Sequence, residues 1–515
     1  MSTVERKQRR VQSWLFSLLP LVLVLVLYGP ALRFELMGDD YQWWQHAHAA
    51  MHRPALLLAD LDGFYRPANT WTLVADRLGS GDSPAGFHLT NLLLHGMAGV
   101  LLVLAGRRLR LPIPEMVLVG VLWALSPFSE EPAVSVAIRF QDLLFIAWLG
   151  LILAWPRAGG WSRPRMAVIV ALTLLAAASK ETWVVTPALA FALGAAIEQV
   201  RFPACLRRSA PFVLAAAVYT AIYFIVFPGD KGYFDPGFAA VSKLPHQLAA
   251  FLHLEQLVPL AFPFGWKDVL AITLVTGLVI WGWRRRQPAA MVGSTLLLAP
   301  MLPTLMVPFL PTRYTSIPYA GFLLLVASWV AHARRDPAAH PLRRRGTTGA
   351  ALALAILVLM AGWFTVRADL VDYARVSSAH GMLVAEARCI APEIPLHAPF
   401  LVVRGEDDDP LTTIALDPRG LPKIYFPRHP DPSGLIDAAA LFEWAVHHED
   451  TRFESMRPAA LGGVAGAVIV HGHHGFLVVN RHVPDLAEAA GAWRKAGFRL
   501  RAVRPVPLGP RPGGS

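Results

Sequence analysis

Eleven apolar segments, most of them near the ~20 residues needed to cross a hydrocarbon layer and the pair around Ser179 shorter, punctuate the first 366 residues of this 515-residue chain. They lie at 13–32, 87–106, 113–129, 135–154, 166–179, 182–197, 210–227, 269–283, 289–307, 315–331 and 347–366. In lipid every backbone N–H and C=O must find a partner within the protein. Helices meet that demand at this segment length, whereas barrel strands are about half as long. Charge is scarce, at 16% against the ~25% of soluble domains, and 55% of residues are hydrophobic. The expected fold is an all-α polytopic membrane protein of about 11 transmembrane helices.

Arginine clusters punctuate the segments at Arg6/Lys7/Arg9/Arg10, Arg107/Arg108/Arg110, Arg157/Arg163/Arg165, Arg201/Arg207/Arg208, Arg284/Arg285/Arg286, and Arg334/Arg335 with Arg343/Arg344/Arg345. With eleven crossings they all fall on one side, which the positive-inside rule makes cytoplasmic. That count needs a reversal at Ser179-Lys180-Glu181. One long helix there would sink two charges in mid-membrane and invert everything downstream. The net charge of +11 is thus a topogenic signal, and no nucleic acid is expected as a partner. The expected setting is a bacterial inner (plasma) membrane, with the N-terminus cytoplasmic and the first apolar run a retained anchor. Cys205 and Cys389 then lie on opposite sides and cannot bridge.

Residues 1–366 form the membrane domain, and 367–515 a soluble extracytoplasmic domain of α/β or α+β type with a disordered tail. Phe400–Val403 and Val464–Val470 read as buried strands, and 434–448 and 484–496 as helical. Gly405–Pro410 reads as an acidic surface turn, with cation binding the alternative, and His471, His473 and His474 read as a polar turn, since no carboxylate or cysteine stands at ligand spacing.

The chemistry gathers on the non-basic side. Asp39 and Asp40 follow the first apolar segment, near Trp43, Trp44, His46, His48 and Phe64-Tyr65-Arg66-Pro67. A carboxylate beside a membrane span is costly unless it faces water or a partner, and one such group can accept a proton from a hydroxyl nucleophile. The alternative is a helix cap. The turn Ser126–Pro132 carries Glu130 and Glu131, candidates for holding an acceptor or a metal. It leads to Arg139, Gln141 and Asp142; Arg139 and Asp142, three apart, are expected to pair on one helix face. His88, Asn91 and His95 make a polar stripe, His95 for helix–helix hydrogen bonding and His88 for a site wall. Lys180-Glu181 and Arg313-Tyr314 complete the set with Arg66; a fixed guanidinium suits a phosphate, and snorkelling or an ion pair is the alternative. No cofactor is named by these residues, and a divalent metal stays open.

Taken together, Gly38-Asp39-Asp40, the stretch 64–96, "EEPAVSVAIRFQDLL" at 130–144, "SKETWVVTP" at 179–187 and "PTRYTSIPYAGF" at 311–322 resemble the polytopic glycosyltransferases of the GT-C superfamily. Within it, they are similar to the protein O-mannosyltransferase branch that carries TPR segments. The resemblance covers about 320 residues. It implies a polyprenyl-phosphate-linked sugar as donor, and an acceptor hydroxyl on the extracytoplasmic face. It also implies inversion, with Asp39 or Asp40 as general base and Lys180 and Arg313 offsetting charge on the leaving phosphate. No 34-residue periodicity marks the tail, so glycan, lipid and protein acceptors all stay open. The competing classes are a transporter or flippase of a lipid-linked saccharide, for which no internal repeat is present, and a non-catalytic membrane scaffold.

Overall fold

The computed structural model describes residues 15–37, 39–61, 63–226, 239–252, 265–305, 312–335 and 341–390, and the strand residues 401–404, 434–437, 468–472 and 475–480. The expected turns at 405–410 and 473–474 and the helix at 484–496 lie outside the described residues. The chain divides into two compact units: Met1–Phe34 with His46–Asp372, and Glu35–Gln45 with Tyr373–Ser515.

The first unit is helical. Its elements are α1 (Leu19–Leu27), α2 (Asp40–His52, whose first turns belong to the second unit), α3 (Pro67–Ser80), α4 (Pro84–Arg108), α5 (Ile113–Ala124) and α6 (Glu130–Val134). They continue as α7 (Phe140–Ala154), α8 (Arg163–Ser179), α9 (Thr186–Leu193), α10 (Phe202–Val226) and α11 (Ala239–Phe251). The last are α12 (Trp266–Arg284), α13 (Pro288–Leu298), α14 (Met301–Thr304), α15 (Ser316–Arg335) and α16 (Pro341–Ile390), the last of which runs on into the second unit. Every expected apolar segment thus contains helix.

The signals that start and stop these helices are local. Proline occupies the first turn of α3, α4, α8, α9 and α13, where its missing N–H costs no hydrogen bond. Arginines close α4, α12 and α15, where cations suit the negative end of the helix dipole. Just beyond α4 and α12 the chain reverses through left-handed Arg110 (φ 68°) and Arg286 (φ 48°).

Among the described residues, six helices are long and apolar enough to cross a membrane, or seven if the bent pair Ile113–Ala124 and Pro127–Val134, angled at 67°, is one span. Their surroundings differ sharply. The most apolar stretch of Val136–Ala154 is 83% buried, whereas that of Phe202–Val226 is 17% buried. Leu214 and Ile225 on α10 are 67% and 75% exposed. A face so apolar and so open is stable against lipid, not water. Val136–Ala154 is therefore the hub, with α10, α12 and α16 at the rim.

Helices α13 and α15 meet through glycines. A Cβ on Gly321 would stand 2.3 Å from the Leu297 nitrogen, and one on Gly293 2.7 Å from the Gly321 oxygen. No side chain fits, so the backbones touch, as in small-residue seams of membrane helices.

Two buried pairs lock the hub. Asp142 bonds His95 Nδ1 at 3.1 Å, while His95 Nε2 bonds the Ala124 carbonyl at 3.1 Å and the ring stacks on Trp123. Arg139 donates to Asp76 at 2.5 Å and to the Phe87 carbonyl at 3.0 Å. The expected Arg139–Asp142 pair is thereby corrected. Val136–Arg139 is a 3-10 turn ahead of α7, so the i, i+3 face of an α-helix does not extend to Arg139.

The second unit holds a four-stranded sheet in the order β2-β1-β3-β4, with β1 Leu401–Arg404, β2 Gly434–Asp437, β3 Val468–Gly472 and β4 Gly475–Asn480. β1 runs parallel to β2 and β3, and β3–β4 is antiparallel. Residues 434–437, expected as helix, are strand: Gly434-Leu435-Ile436-Asp437 pairs along Leu401–Arg404, and sheet pairing overrides local propensity there. In the same unit the Glu35 N–H donates to Ser377 Oγ at 2.8 Å.

Candidate functional site

Three cations of the first unit converge where α3, α7, α9 and α15 begin. Arg66 arrives through a tight turn. Asp60 accepts from the Gly63 N–H at 2.9 Å, Gly63 adopts φ 77°, and Leu61 bridges Phe64. Pro67 disfavours helical geometry at the residue before it, so Arg66 stays outside α3 (φ −134°, ψ 58°). Its guanidinium is clamped between the rings of Phe64 (4.3 Å) and Phe140 (3.9 Å). It forks onto Glu181, Nε to Oε1 at 3.1 Å and Nη2 to Oε2 at 3.0 Å.

Lys180 stands at the break between α8 and the 3-10 turn Glu181–Val185, with extended backbone (φ −160°, ψ 145°). Helix α8 therefore breaks at this residue. The side chain is 4% exposed. Its ammonium donates to Gln141 Oε1 at 2.5 Å, lying 4.2 Å from the Tyr314 ring centre and 5.3 Å from that of Phe140. Burial pushes the Lys180 ammonium well below the usual lysine range. The Arg66 charge pushes the same way, Glu181 opposes, and the more remote Arg313 and Glu131 follow with opposite signs.

Arg313 lies in the 3-10 turn Thr312–Tyr314 that opens α15. Its backbone N–H and Nη1 both reach Glu131, at 2.7 and 2.6 Å. Gln141 links the two halves, with its Nε2 donating to Ser316 Oγ at 3.3 Å. Arg66 and Arg313 thus each hold a carboxylate, whereas the hydrogen-bond partner of Lys180 is a neutral amide.

An aromatic wall adjoins this cluster. Trp183 meets Tyr219 edge to face at 5.2 Å, Tyr219 stacks on Tyr223 at 6.1 Å, and Tyr65 lies 6.5 Å from Tyr219. Tyr223 donates to the Gly63 carbonyl at 2.6 Å, tying α10 to the Arg66 turn. Trp183 Nε1–H and Tyr219 O–H are buried polar groups with no hydrogen-bond partner among the described residues.

The remaining candidates are placed as follows. Glu130 is buried beside the Asp369 carboxyl of α16, while Glu131 serves Arg313. His88 is buried and meets Phe34 edge to face at 6.2 Å. Asn91 Nδ2 donates to the Pro132 and Ser135 carbonyls at 3.2 and 2.6 Å, so the polar stripe braces the irregular backbone ahead of α7. Asp39 is exposed and Asp40 buried, both at the start of α2 within the second unit. Asp40 Oδ2 accepts from the Met37 N–H at 3.2 Å, a capping bond. Among the described residues, no group of three or more His, Cys, Asp or Glu side chains is arranged to hold a metal ion. Sequence reasoning passed over Tyr219, Tyr223, Trp183, Asp76 and Asp369. Of these, Tyr219, Tyr223 and Trp183 are aromatics inside apolar segments, while Asp76 and Asp369 lie outside them.

No family model matches the chain. The curated protein O-mannosyl-transferase Tmtc2 of Drosophila melanogaster is 28% identical over 236 residues, which cover 41% of this chain and 24% of that protein. The chain therefore spans about a quarter of that relative's length. Among solved structures, ArnT from Cupriavidus metallidurans bound to undecaprenyl phosphate superposes with a TM-score of 0.47 at 13% identity, covering 88% of this chain and 93% of that one. Its apo form gives a TM-score of 0.48 at 14% identity, with the same coverage.

Proposed function

We propose that this membrane protein is a glycosyltransferase of GT-C type, moving a sugar from a polyprenyl-phosphate donor to an acceptor hydroxyl on the extracytoplasmic face. The observation that carries this reading is the Lys180 ammonium. It is buried between aromatic faces, bonded to a neutral amide, and set beside two guanidinium–carboxylate pairs. A buried cation whose partner is neutral gains most from an arriving anion, and a phosphodiester supplies one. The exposed apolar flank of α10 suits the isoprenoid tail. The Tyr65–Trp183–Tyr219 wall suits a sugar ring, whose C–H faces lie against aromatics while its hydroxyls accept from Trp183 and Tyr219. The sequence resemblance and the naming of the Drosophila relative as an O-mannosyl-transferase point the same way.

In the proposed reaction, a carboxylate of the Asp39-Asp40 pair takes the proton of the acceptor hydroxyl. The oxygen bonds the anomeric carbon as that carbon's bond to the phosphate oxygen breaks, with inversion. The lipid phosphate leaves with the electron pair, and Lys180 and Arg313 stabilise its charge. Interior pairs that satisfy one another, Arg139–Asp76 and His95–Asp142, favour chemistry at one end of the bundle over a transport path.

The test is incubation of purified protein with polyprenyl-phosphate-linked hexoses and candidate acceptors, read by mass spectrometry. Sugar transfer, or slow release to water, is expected. Neither outcome with any donor, from protein that is folded and membrane-inserted, would overturn the assignment.

A further inference from the structure

At the far end of the bundle, where α4 and α7 finish and α8 starts, three arginines gather. Arg108 and Arg165 both bond the short segment that carries Arg157. Arg108 Nη2 donates to the Trp155 carbonyl at 2.5 Å, and Arg165 Nη1 to the Gly160 carbonyl at 2.5 Å. These bonds fold the 155–162 connection into a tight turn, with Gly159 at φ 72° and the Trp155 and Trp161 rings edge to face at 5.5 Å. Two buried donors in this turn, Arg108 Nε–H and Trp155 Nε1–H, have no hydrogen-bond partner among the described residues. The nearby carboxylate, Glu198, is already engaged by Arg208 at 2.8 Å and Trp161 at 3.2 Å.

Converging like charges beside orphaned donors are costly until an anion joins them. The geometry points to a binding site for the phosphate of an acidic phospholipid, formed by Arg108, Arg157, Arg165 and Trp155. The source of the phosphate is argued from the flank. Beyond Arg165, α8 turns Met166, Val170 and Leu174 outward on one face. A headgroup held by the arginines would therefore lay its acyl chains along an apolar helix face. A free phosphate would use the head site alone and leave that face uncovered. The site lies apart from Lys180 and does not depend on the proposed transferase reaction.

The experiment uses the full chain in mild detergent, with lipid retention read by native mass spectrometry. Dioleoyl phosphatidylglycerol is expected to be retained about tenfold more than dioleoyl phosphatidylcholine, as charge-assisted hydrogen bonds allow. Arg108→Gln should erase that preference. Trp155→Phe, which keeps the ring and removes only the N–H, should cut it severalfold, and reports on the site even if R108Q folds poorly. Arg284→Gln, at the end of α12, should leave it intact. Three results would overturn the proposal: equal retention of the two lipids, unchanged preference in both R108Q and W155F, or an equal loss in R284Q, which signals diffuse attraction. Full displacement by millimolar inorganic phosphate would also overturn it, assigning the arginines to a free anion.

Discussion

Lys180 gives a hydrogen bond to the neutral amide oxygen of Gln141 at 2.5 Å, while the guanidiniums on either side, Arg66 and Arg313, hold carboxylates. A lysine so placed is electrostatically unfinished. Burial strips its ammonium of water, and no hydrogen-bonded carboxylate restores the balance.

Transfer should therefore have an alkaline limit set by Lys180. Burial lowers its pKa, so the charged form is lost at a lower pH than for an ordinary lysine. Turnover is expected to fall as pH rises through that lowered value, and K180R should carry the limb to higher pH. For folding the sign is opposite. Between the folded and unfolded pKa values the unfolded chain binds more protons, so stability rises with pH across that window. K180Q should cost about a hundredfold or more in turnover, the size of one lost anion-stabilising group. A pH–rate profile for the three proteins decides the matter.

Gln141→Glu should give Lys180 a permanent counter-charge. Donor affinity is expected to weaken roughly tenfold while thermal stability holds or rises, because a pre-neutralised cation gains less from phosphate. Equilibrium binding of undecaprenyl phosphate measures this directly. Unchanged affinity would show that Lys180 does not meet the phosphate.

Removing one partner of the Arg66–Glu181 fork strands a charge beside Phe140. Glu181→Gln should destabilise by about 2–3 kcal/mol, below the full cost of a buried pair because Glu181 is about a quarter exposed. R66M/E181Q should recover part of that loss. A denaturation cycle across the four proteins tests the coupling, and strict additivity would refute it.

The aspartates divide between stability and chemistry. Asp40→Asn weakens the bond to the Met37 N–H and should cost about 1 kcal/mol, whereas exposed Asp39→Asn should cost little. D39N/D40N is expected to lose transfer yet bind donor normally. Residual turnover near wild type in that double variant would remove both residues from the base role.

What the sequence made legible follows from distance along the chain. Apolar length and arginine punctuation act locally, and the break at Lys180 was readable because a continuous helix would bury two charges. The pairing of Arg139 was not readable. Its carboxylate, Asp76, lies 63 positions away on α3, and nothing local marks the end of the 3-10 turn. Tyr219 and Trp183 were missed for the same reason: tyrosine in an apolar helix acquires meaning only from what faces it. The strand at 434–437 depends on Leu401–Arg404, a partner more than 30 residues upstream.

The glycine seam of α13 and α15 has a consequence for aim. Gly321 lies eight positions beyond Arg313, roughly 12 Å down the helix at 1.5 Å per residue. It touches nothing at the cation cluster. Yet a methyl group there would meet the Leu297 backbone at 2.3 Å and push the two helices apart. Because α15 is a rigid rod, such a displacement would travel to its mouth and swing the Arg313 guanidinium off line. Misplacements near 1 Å are enough to cost about a hundredfold in rate. The bearing that trues Arg313 thus lies about two turns farther along, at a residue with no side chain at all.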